Sequence, residues 1–260
     1  MKHHLLNISS INCRFEAFVN DVLVVGSHSG DSLSFEIPVN HLVRERENSV
    51  VARVLPPPGL DAVEANSRMH VTVYAIQEGA WNEADTRTRV AEIQTDSFRI
   101  PGVDALPLIE AAGAFLALDA SPLPWEESPE WRIEKRDLDL AEATYARLHG
   151  LLARRDTDGV IDMMREKCES CARAYGTSTL EFTDYVRKSI DELVGDPDLR
   201  LRPLATQQFR PRIFGGGRLV SAFNEHSKPL LSFHNPKLDE TTYLDVFIMK
   251  DPNGRAVVIR

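Results

Sequence analysis

Apolar and polar side chains alternate with a period of two along the first part of the chain, from Ile11 to about Leu118. Gly, Asn, Pro and Ser interrupt this alternation at short intervals, which is typical of short antiparallel strands joined by tight turns. When each strand gives one face to a shared core, such a series builds a sandwich of two sheets. We therefore predict an all-β sandwich over residues 1–120, with strands in RFEAFVNDVLVVG, SLSFEIPV, NSVVARVLP, MHVTVYAI and TRVAEIQTDSFRI.

The alternation ends in a stretch rich in proline and acidic residues, which we predict to be a linker over residues 121–130. Beyond it the apolar period becomes that of a helix, because Ala141, Tyr145, Leu148 and Leu152 fall on one stripe. Two further helices are predicted in TDGVIDMMREKCESCARAYG and STLEFTDYVRKSIDELVG.

The third predicted helix opens with Ser178 and Glu181, which have the spacing of a capping box. After it the period of two returns in several short segments. Helices followed by a run of strands predict an α+β layer, in which the helices pack on one face of an antiparallel sheet. Residues 131–260 are therefore expected to form a second domain with its own core. Its strands are predicted in RPRIF, RLVSAF, PLLSFH, TYLDVFIMK and RAVVIR.

Charge and composition narrow the expected surroundings of the protein. The net charge of −9 opposes attraction to nucleic acid or anionic lipid, since both depend on an excess of Lys and Arg. No apolar run approaches the roughly 20 residues that span a bilayer, and the first residues lack the apolar segment of a secretory signal. Three cysteines do not make a disulfide framework. We expect a cytoplasmic protein without nucleic-acid or membrane partners, and with His3 and His4 on a frayed terminus.

Cys168 and Cys171 form the one Cys-x-x-Cys of the chain, a spacing found in redox pairs and in half of many zinc sites. They complete a helical apolar stripe with Val160, Met164 and Tyr175, which favours packing in the core. A redox pair normally lies at a helix N-terminus, whereas more than two turns of predicted helix precede Cys168. A zinc site needs four ligands, and no second pair follows. We predict no metal site and no required cofactor.

A stretch from Leu199 to Arg218 contains arginines but no acidic residue, within a chain that is acidic overall. One interpretation is a solvent-facing row of arginines that alternate with apolar residues. The other is a surface for an acidic partner or a bound anion, because guanidinium groups match carboxylates and phosphates bidentately. The arginines concerned are Arg200, Arg202, Arg210, Arg212 and Arg218.

Asp245 is the candidate catalytic residue of the segment TYLDVFIMK. Alternation places Leu244, Val246 and Ile248 on one face of a strand, so Asp245 shares the other face with aromatic neighbours. In a pocket, desolvation would raise the pKa of this carboxyl and suit it to act as a general base. On a wet face it would be a solvated edge charge. Alternation alone does not decide between these interpretations.

The segment YARLHGLLARRDTDGVIDMM resembles the opening of nuclear-transport-factor-like domains, also called SnoaL-like or cystatin-like. The resemblance covers roughly residues 131–260 and implies a cone, with three helices packed on a curved antiparallel sheet. Some members of this superfamily are enzymes with a pocket in the cone, and many are binding modules without catalysis. By resemblance, Tyr145, His149 or Tyr175 would accompany Asp245 in such a pocket and donate a hydrogen bond to a developing negative charge.

The segment IPVNHLVRERENSVVARVLP resembles a stretch of jelly-roll, galactose-binding-like accessory domains. This resemblance implies a jelly-roll-like sandwich in the N-terminal half. Domains of that kind bind carbohydrate or protein.

The leading functional hypothesis is a non-catalytic binding or interaction protein of the cytoplasm, with a bacterial immunity or secretion-associated role as one setting. Its partner would be a protein with an acidic surface or a small apolar ligand, and a homodimer is left open. The first alternative is a small-molecule isomerase, cyclase or hydrolase that uses the pocket carboxylate of the C-terminal domain. The second is carbohydrate binding by the N-terminal sandwich.

Overall fold

The computed structural model describes residues 2–57, 59–77, 86–95, 106–204 and 209–260. The chain forms two compact units, Met1–Leu123 and Pro124–Arg260. The described ranges contain four antiparallel sheets and four α-helices, so the expected β-rich α+β class is confirmed.

The N-terminal unit is built from antiparallel strands in two four-stranded sheets. One sheet has the order β4-β1-β6-β7 and the other the order β3-β2-β5-β8. The last five residues of the segment TRVAEIQTDSFRI, residues 96–100, lie outside the described residues. The strands are β1 (Lys2–Ile11), β2 (Arg14–Val19), β3 (Val22–Ser27), β4 (Leu33–Pro38), β5 (Arg46–Leu55), β6 (Arg68–Gln77), β7 (Thr88–Gln94) and β8 (Ile109–Ala117).

Aromatic side chains connect the two sheets of this unit. The ring of Phe15 on β2 lies 6.4 Å from that of Phe35 on β4, measured between centroids. The tight turn between β2 and β3 is formed by Asn20 and Asp21, whose φ values of 50° and 61° are those that a two-residue hairpin loop requires. The predicted pair of strands around this turn is confirmed.

Strand β1 is an interior strand, so the expectation of a frayed terminus at His3 and His4 is wrong. It pairs with both β4 and β6, and His3 and His4 are 2% and 4% exposed. The side chain of Asn40 accepts a hydrogen bond from the backbone N–H of His4 at 2.6 Å and donates one to Nδ1 of His3 at 2.9 Å. Asn40 therefore provides a buried hydrogen-bond partner for the His3 imidazole and for the backbone of His4.

The C-terminal unit begins with helices and continues with strands, in the predicted order. Its sheets have the orders β10-β11-β14-β15 and β13-β12-β9. The helices are α1 (Lys135–Ala153), α2 (Thr157–Met163), α3 (Arg165–Tyr175) and α4 (Thr179–Gly195). The strands are β9 (Arg200–Leu201), β10 (Arg210–Phe214), β11 (Leu219–Phe223), β12 (Leu231–Asn235), β13 (Glu240–Leu244), β14 (Ile248–Lys250) and β15 (Ala256–Val258).

The helical periodicity correctly identifies the core of this unit. The predicted stripe of α1 is buried together with residues of β11, β14 and β15. The capping box of α4 is also confirmed: the Ser178 hydroxyl accepts from the N–H of Glu181 at 3.2 Å, and the N–H of Ser178 donates to the Glu181 carboxylate at 3.1 Å. This arrangement satisfies backbone groups that a helix start leaves without partners.

The second predicted helix is not continuous, which corrects the sequence interpretation of the cysteines. It breaks at Met164, where ψ is 13°, into α2 and α3. Hydrogen bonds continue across the break, since Met164 donates to Val160 at 3.0 Å and Cys168 donates to Met164 at 2.9 Å. No proline or glycine lies at the kink, and the apolar stripe runs through it, so the period could not reveal it. Cys168 is therefore the fourth residue of α3 rather than a mid-helix residue.

Candidate functional site

Asp245 lies in the short connection between β13 and β14, and not within one continuous strand as predicted. The predicted core face is confirmed, although Phe247 and Met249, predicted to share the face of Asp245, are buried as well. Val246 and Ile248 are 2% and 0% exposed and belong to the core, and Leu244 packs against that core. Asp245 itself is exposed. The break in the strand thus turns a carboxylate away from the helix-packed core.

Asp245 is exposed to water but has protein atoms and two positive charges around it. Burial among protein atoms raises the pKa of this carboxyl, and the positive charges of Arg260 and Lys167 partly oppose the shift. We take the residues that act on one another here as the candidate site and name the group the Asp245 recess: Asp245, Lys167, Arg260 and Tyr175.

Helix α3 forms one wall of the Asp245 recess. Lys167, Cys171 and Tyr175 are spaced four residues apart and therefore lie along one face of the helix. The Lys167 side chain is half-buried. Burial lowers the pKa of Lys167 and the nearby Arg260 charge lowers it further, whereas Asp245 and the two cysteines act in the opposite direction.

The end of the last strand forms the facing wall. Helix α3 packs against β15, and the backbone carbonyl of Arg260 accepts a hydrogen bond from the N–H of Phe247 at 3.0 Å. This pairing holds Arg260 beside the connection that carries Asp245. The Arg260 guanidinium lies 5.3 Å from the centroid of the Phe247 ring. Burial lowers the pKa of Arg260, and the negative charge of Asp245 opposes the shift.

The charges in the recess attract one another without touching. Within the described residues, no hydrogen bond or ion pair within 4.0 Å joins the Asp245 carboxylate to Lys167 or Arg260, and their mutual effects on pKa act through space. Structural ion pairs in a protein interior usually make direct, hydrogen-bonded contact, because this offsets the cost of desolvation. The Asp245 carboxylate is therefore not part of such a direct pair with Lys167 or Arg260.

Aromatic rings border this group of charges. The Tyr175 ring is stacked parallel to that of Phe182 on α4, with 6.3 Å between centroids and 4° between planes. Tyr175 and Arg260 also interact electrostatically. Of the three helix residues that the superfamily resemblance adds to Asp245, Tyr175 is therefore the one placed at the recess.

Tyr145 has a different position, because its hydroxyl is fully engaged inside the core. It donates to the carbonyl of Val246 at 2.7 Å and accepts from the N–H of Ala222 at 2.8 Å, with the Ser221 hydroxyl at 3.4 Å. Burial raises the pKa of Tyr145. A phenol whose single proton is already donated to a backbone carbonyl has none for a ligand. In this arrangement Tyr145 fixes α1 to β11 and to the connection before β14.

His149 is likewise engaged by the backbone. Its Nε2 donates to the carbonyl of Arg202 at 2.9 Å, which fixes both the ring orientation and the tautomer. The contact ties α1 to the residue that follows β9. This geometry suits a structural role for His149.

The five arginines do not form one row. Arg200 on β9 and Arg210 on β10 belong to different sheets, and both are exposed. Arg212 packs its guanidinium over two rings, 4.9 Å from the centroid of Phe223 and 5.4 Å from that of Phe214. Of the remaining two, Arg202 is exposed, whereas Arg218 donates a hydrogen bond to the backbone carbonyl of Ser128.

The cysteines are buried thiols, as their place in the apolar stripe predicts. Burial raises the pKa of Cys168 and raises that of Cys171 to about 11. The thiolate, which is the reactive form, is therefore disfavoured even though α3 starts close to Cys168.

Among the described ranges no group of His, Cys, Asp and Glu is arranged to hold a metal ion. None of the helices described is long and apolar enough to cross a membrane.

A separate cavity of about 580 Å³ is lined by several charged side chains, and one ion pair lies among them. Lys250, which lines it, donates to the Asp137 carboxylate at 2.5 Å and to the carbonyl of Glu130 at 2.9 Å. Burial would raise the pKa of Asp137, but the hydrogen bonds from Lys250 and from the N–H of Arg132 hold it below its ordinary value. Lys250 and Asp137 thus satisfy one another at the wall of this cavity.

Comparison with known proteins adds no relative, since no protein-family model, no curated protein and no solved structure matches this chain. The function must therefore be argued from the site itself.

Proposed function

We propose that the C-terminal unit is a receptor for a small organic acid, which it holds in the Asp245 recess. The single observation that carries this proposal is that the packing of α3 against β15 brings two cations, Lys167 and Arg260, to the connection that holds Asp245. An acid group of a ligand would bind between the two cations. A hydroxyl or amine of the same ligand would donate a hydrogen bond to the Asp245 carboxylate.

Arg260 supports this assignment through its geometry. A guanidinium presents parallel N–H donors that match the two oxygens of a carboxylate, and here it is oriented by stacking over Phe247. The partial burial of the group strengthens charge-assisted hydrogen bonds relative to those on an open surface. With two cations against one carboxylate, the recess favours an acidic ligand over the small apolar ligand that the sequence suggests.

The finer architecture is part of the same proposal. We propose that the N-terminal unit is a jelly-roll-like sandwich domain and that the C-terminal unit is a nuclear-transport-factor-like cone. The two compact units and the order of helices before antiparallel strands support this assignment. A cone of this kind encloses its pocket between helices and sheet, which agrees with a recess bounded by α3 and the end of β15.

Calorimetric titration of the full chain with lactate, succinate and inorganic phosphate tests the proposed function. At least one of these anions is expected to bind. The Arg260→Gln substitution should weaken that binding roughly tenfold or more, because a hydrogen bond between charged groups contributes about 1.5–3 kcal/mol. Arg255→Gln is the matched control, since Arg255 is an exposed arginine of the turn before β15. Absence of binding by all three anions, or equal weakening by both substitutions, would contradict the proposal.

A further inference from the structure

The cavity of about 580 Å³ in the C-terminal unit has a lining that shares no residue with the Asp245 recess. This lining comes from the stretch just before Trp131, the start of α1, the end of β14 and the glycine turn between β10 and β11. The volume of the cavity lies within the roughly 300–1,000 Å³ that is usual for pockets that bind small molecules. The cavity is therefore large enough for a ligand of its own.

Hydrogen bonds to main-chain carbonyls fix the walls of this cavity. The N–H of Trp131 donates to the carbonyl of Gly217 at 2.8 Å, which ties the stretch before α1 to the glycine turn. The Arg218 guanidinium, at the end of the same turn, donates to the carbonyl of Ser128. The walls are thus held in place without a ligand, which lowers the ordering cost of binding one.

Several charged side chains of the lining are left available for a ligand. Glu127, Glu130 and Arg136 are exposed, and within the described part of the chain their charged groups make no hydrogen bond and no ion pair. Arg132 and Glu134 are 3.7 Å apart, but their side chains are 73% and 65% exposed. Such an exposed pair is weak and can open to admit a ligand. Carboxylates and guanidiniums therefore both face this cavity without strong partners.

The balance of charge decides which class of ligand fits. Four carboxylates and four cationic groups line the cavity. A simple anion is attracted by the cations but repelled by the carboxylates, and a simple cation meets the opposite problem. A molecule that carries one charge of each sign gains from both sets of groups.

We propose that this cavity binds a small zwitterion, such as a dipeptide with free ends. Its carboxylate would accept hydrogen bonds from the Arg136 guanidinium, whose parallel N–H groups match two oxygens. Its ammonium would donate to the carboxylates of Glu127 and Glu130. This inference goes beyond the proposed function, because both the site and the ligand class are different.

A proton–nitrogen NMR titration of the full chain with alanylalanine tests the inference. The indole N–H signal of Trp131 is the reporter, because Lys250, which lines the cavity, lies 4.7 Å from the centroid of that ring. The dipeptide is expected to shift this signal until the site is saturated. N-acetyl-alanylalanine and alanylalanine amide should each bind roughly tenfold more weakly or worse, because each lacks one of the two charges. No saturable shift, or equal binding of the three compounds, would refute the zwitterion site.

Substitutions locate the binding on the molecule. Arg136→Gln and Glu130→Gln should each weaken dipeptide binding roughly tenfold, because each removes one charged partner. Arg147→Gln is the matched control, since Arg147 is exposed on the same helix and lies outside the cavity. Equal weakening by Arg136→Gln and Arg147→Gln, or no weakening by Arg136→Gln and Glu130→Gln, would overturn the inference.

Arg260→Gln keeps the two proposals apart. This substitution should weaken binding of the organic acid and leave dipeptide binding unchanged. If the organic acid binds and the dipeptide does not, this inference fails and the receptor stands. If the dipeptide binds as described and no organic acid does, the receptor fails and the zwitterion site stands.

Discussion

Replacing Tyr145 by Phe is expected to lower the free energy of unfolding by about 2–4 kcal/mol, because each buried backbone group left without a partner costs about 1–3 kcal/mol. The substitution keeps the ring and its packing but removes the hydroxyl. Ala222 then loses the acceptor of its N–H, and the Val246 carbonyl loses its donor. Urea denaturation followed by circular dichroism measures the change.

The matched control is Tyr185→Phe on α4. Tyr185 is 68% exposed, so loss of its hydroxyl leaves water in its place and should change stability by less than about 0.5 kcal/mol. Equal effects of the two substitutions would show that the Tyr145 hydroxyl is not satisfied in the way described here. If the Tyr145→Phe variant were as stable as wild type, the core would not need the Tyr145 hydroxyl. That hydroxyl would then again be a candidate to bind a ligand.

Replacing Lys250 by Met is expected to cost about 3 kcal/mol of unfolding free energy, since removal of one member of a buried ion pair leaves the other charge uncompensated. Lys250 and Asp137 are 10% and 13% exposed in their side chains, and their charged atoms are 2.5 Å apart. The lysine also lies over the Trp131 ring, 4.7 Å from its centroid. Lys188→Met is the control, because its pairing with Glu192 is exposed.

The same pair predicts a dependence of stability on pH. The pKa of Asp137 in the folded protein is lower than in the unfolded chain. The stability that this carboxylate contributes is therefore fully present above its unfolded pKa of about 3.9. It is lost as the pH falls through the lower folded-state pKa. The difference in stability between wild type and Lys250→Met should therefore narrow when the pH is lowered below about 4. A difference that stays constant from pH 7 to pH 3 would contradict this account.

Local patterns predicted the elements of this chain better than its long-range pairings. The stripe of α1, the capping box of α4 and the Asn20-Asp21 hairpin each depend on residues close in sequence, and each is present. The interior position of β1 depends on β6, which lies far along the chain, and on Asn40, which bonds the His3 ring and the backbone of His4. No local period carries that information. The kink at Met164 is hidden for a related reason, because hydrogen bonds and the apolar stripe both continue through it.

The candidate site shows the same division. Alternation along TYLDVFIMK predicted that Val246 and Ile248 belong to the core, and the structure agrees. Lys167 and Arg260 were not predicted to belong to the site. Lys167 lies beside two cysteines whose spacing predicts core packing, and Arg260 follows the last strand. Only the packing of α3 against β15 brings their charges to Asp245. The spacing of Lys167 and Cys171 was the one local indication, because four residues on a helix share a face.

The central claim is that Asp245, Lys167 and Arg260 share one recess, and a nitrogen-detected NMR titration of the Lys167 ammonium tests it most directly. The account predicts that the pKa of Lys167 in wild type lies below that of the exposed Lys188, and that it falls further in Asp245→Asn, because the carboxylate stabilises the ammonium. A Lys167 pKa equal to that of Lys188 and unchanged by Asp245→Asn would contradict the shared recess, and with it the proposed receptor for an organic acid.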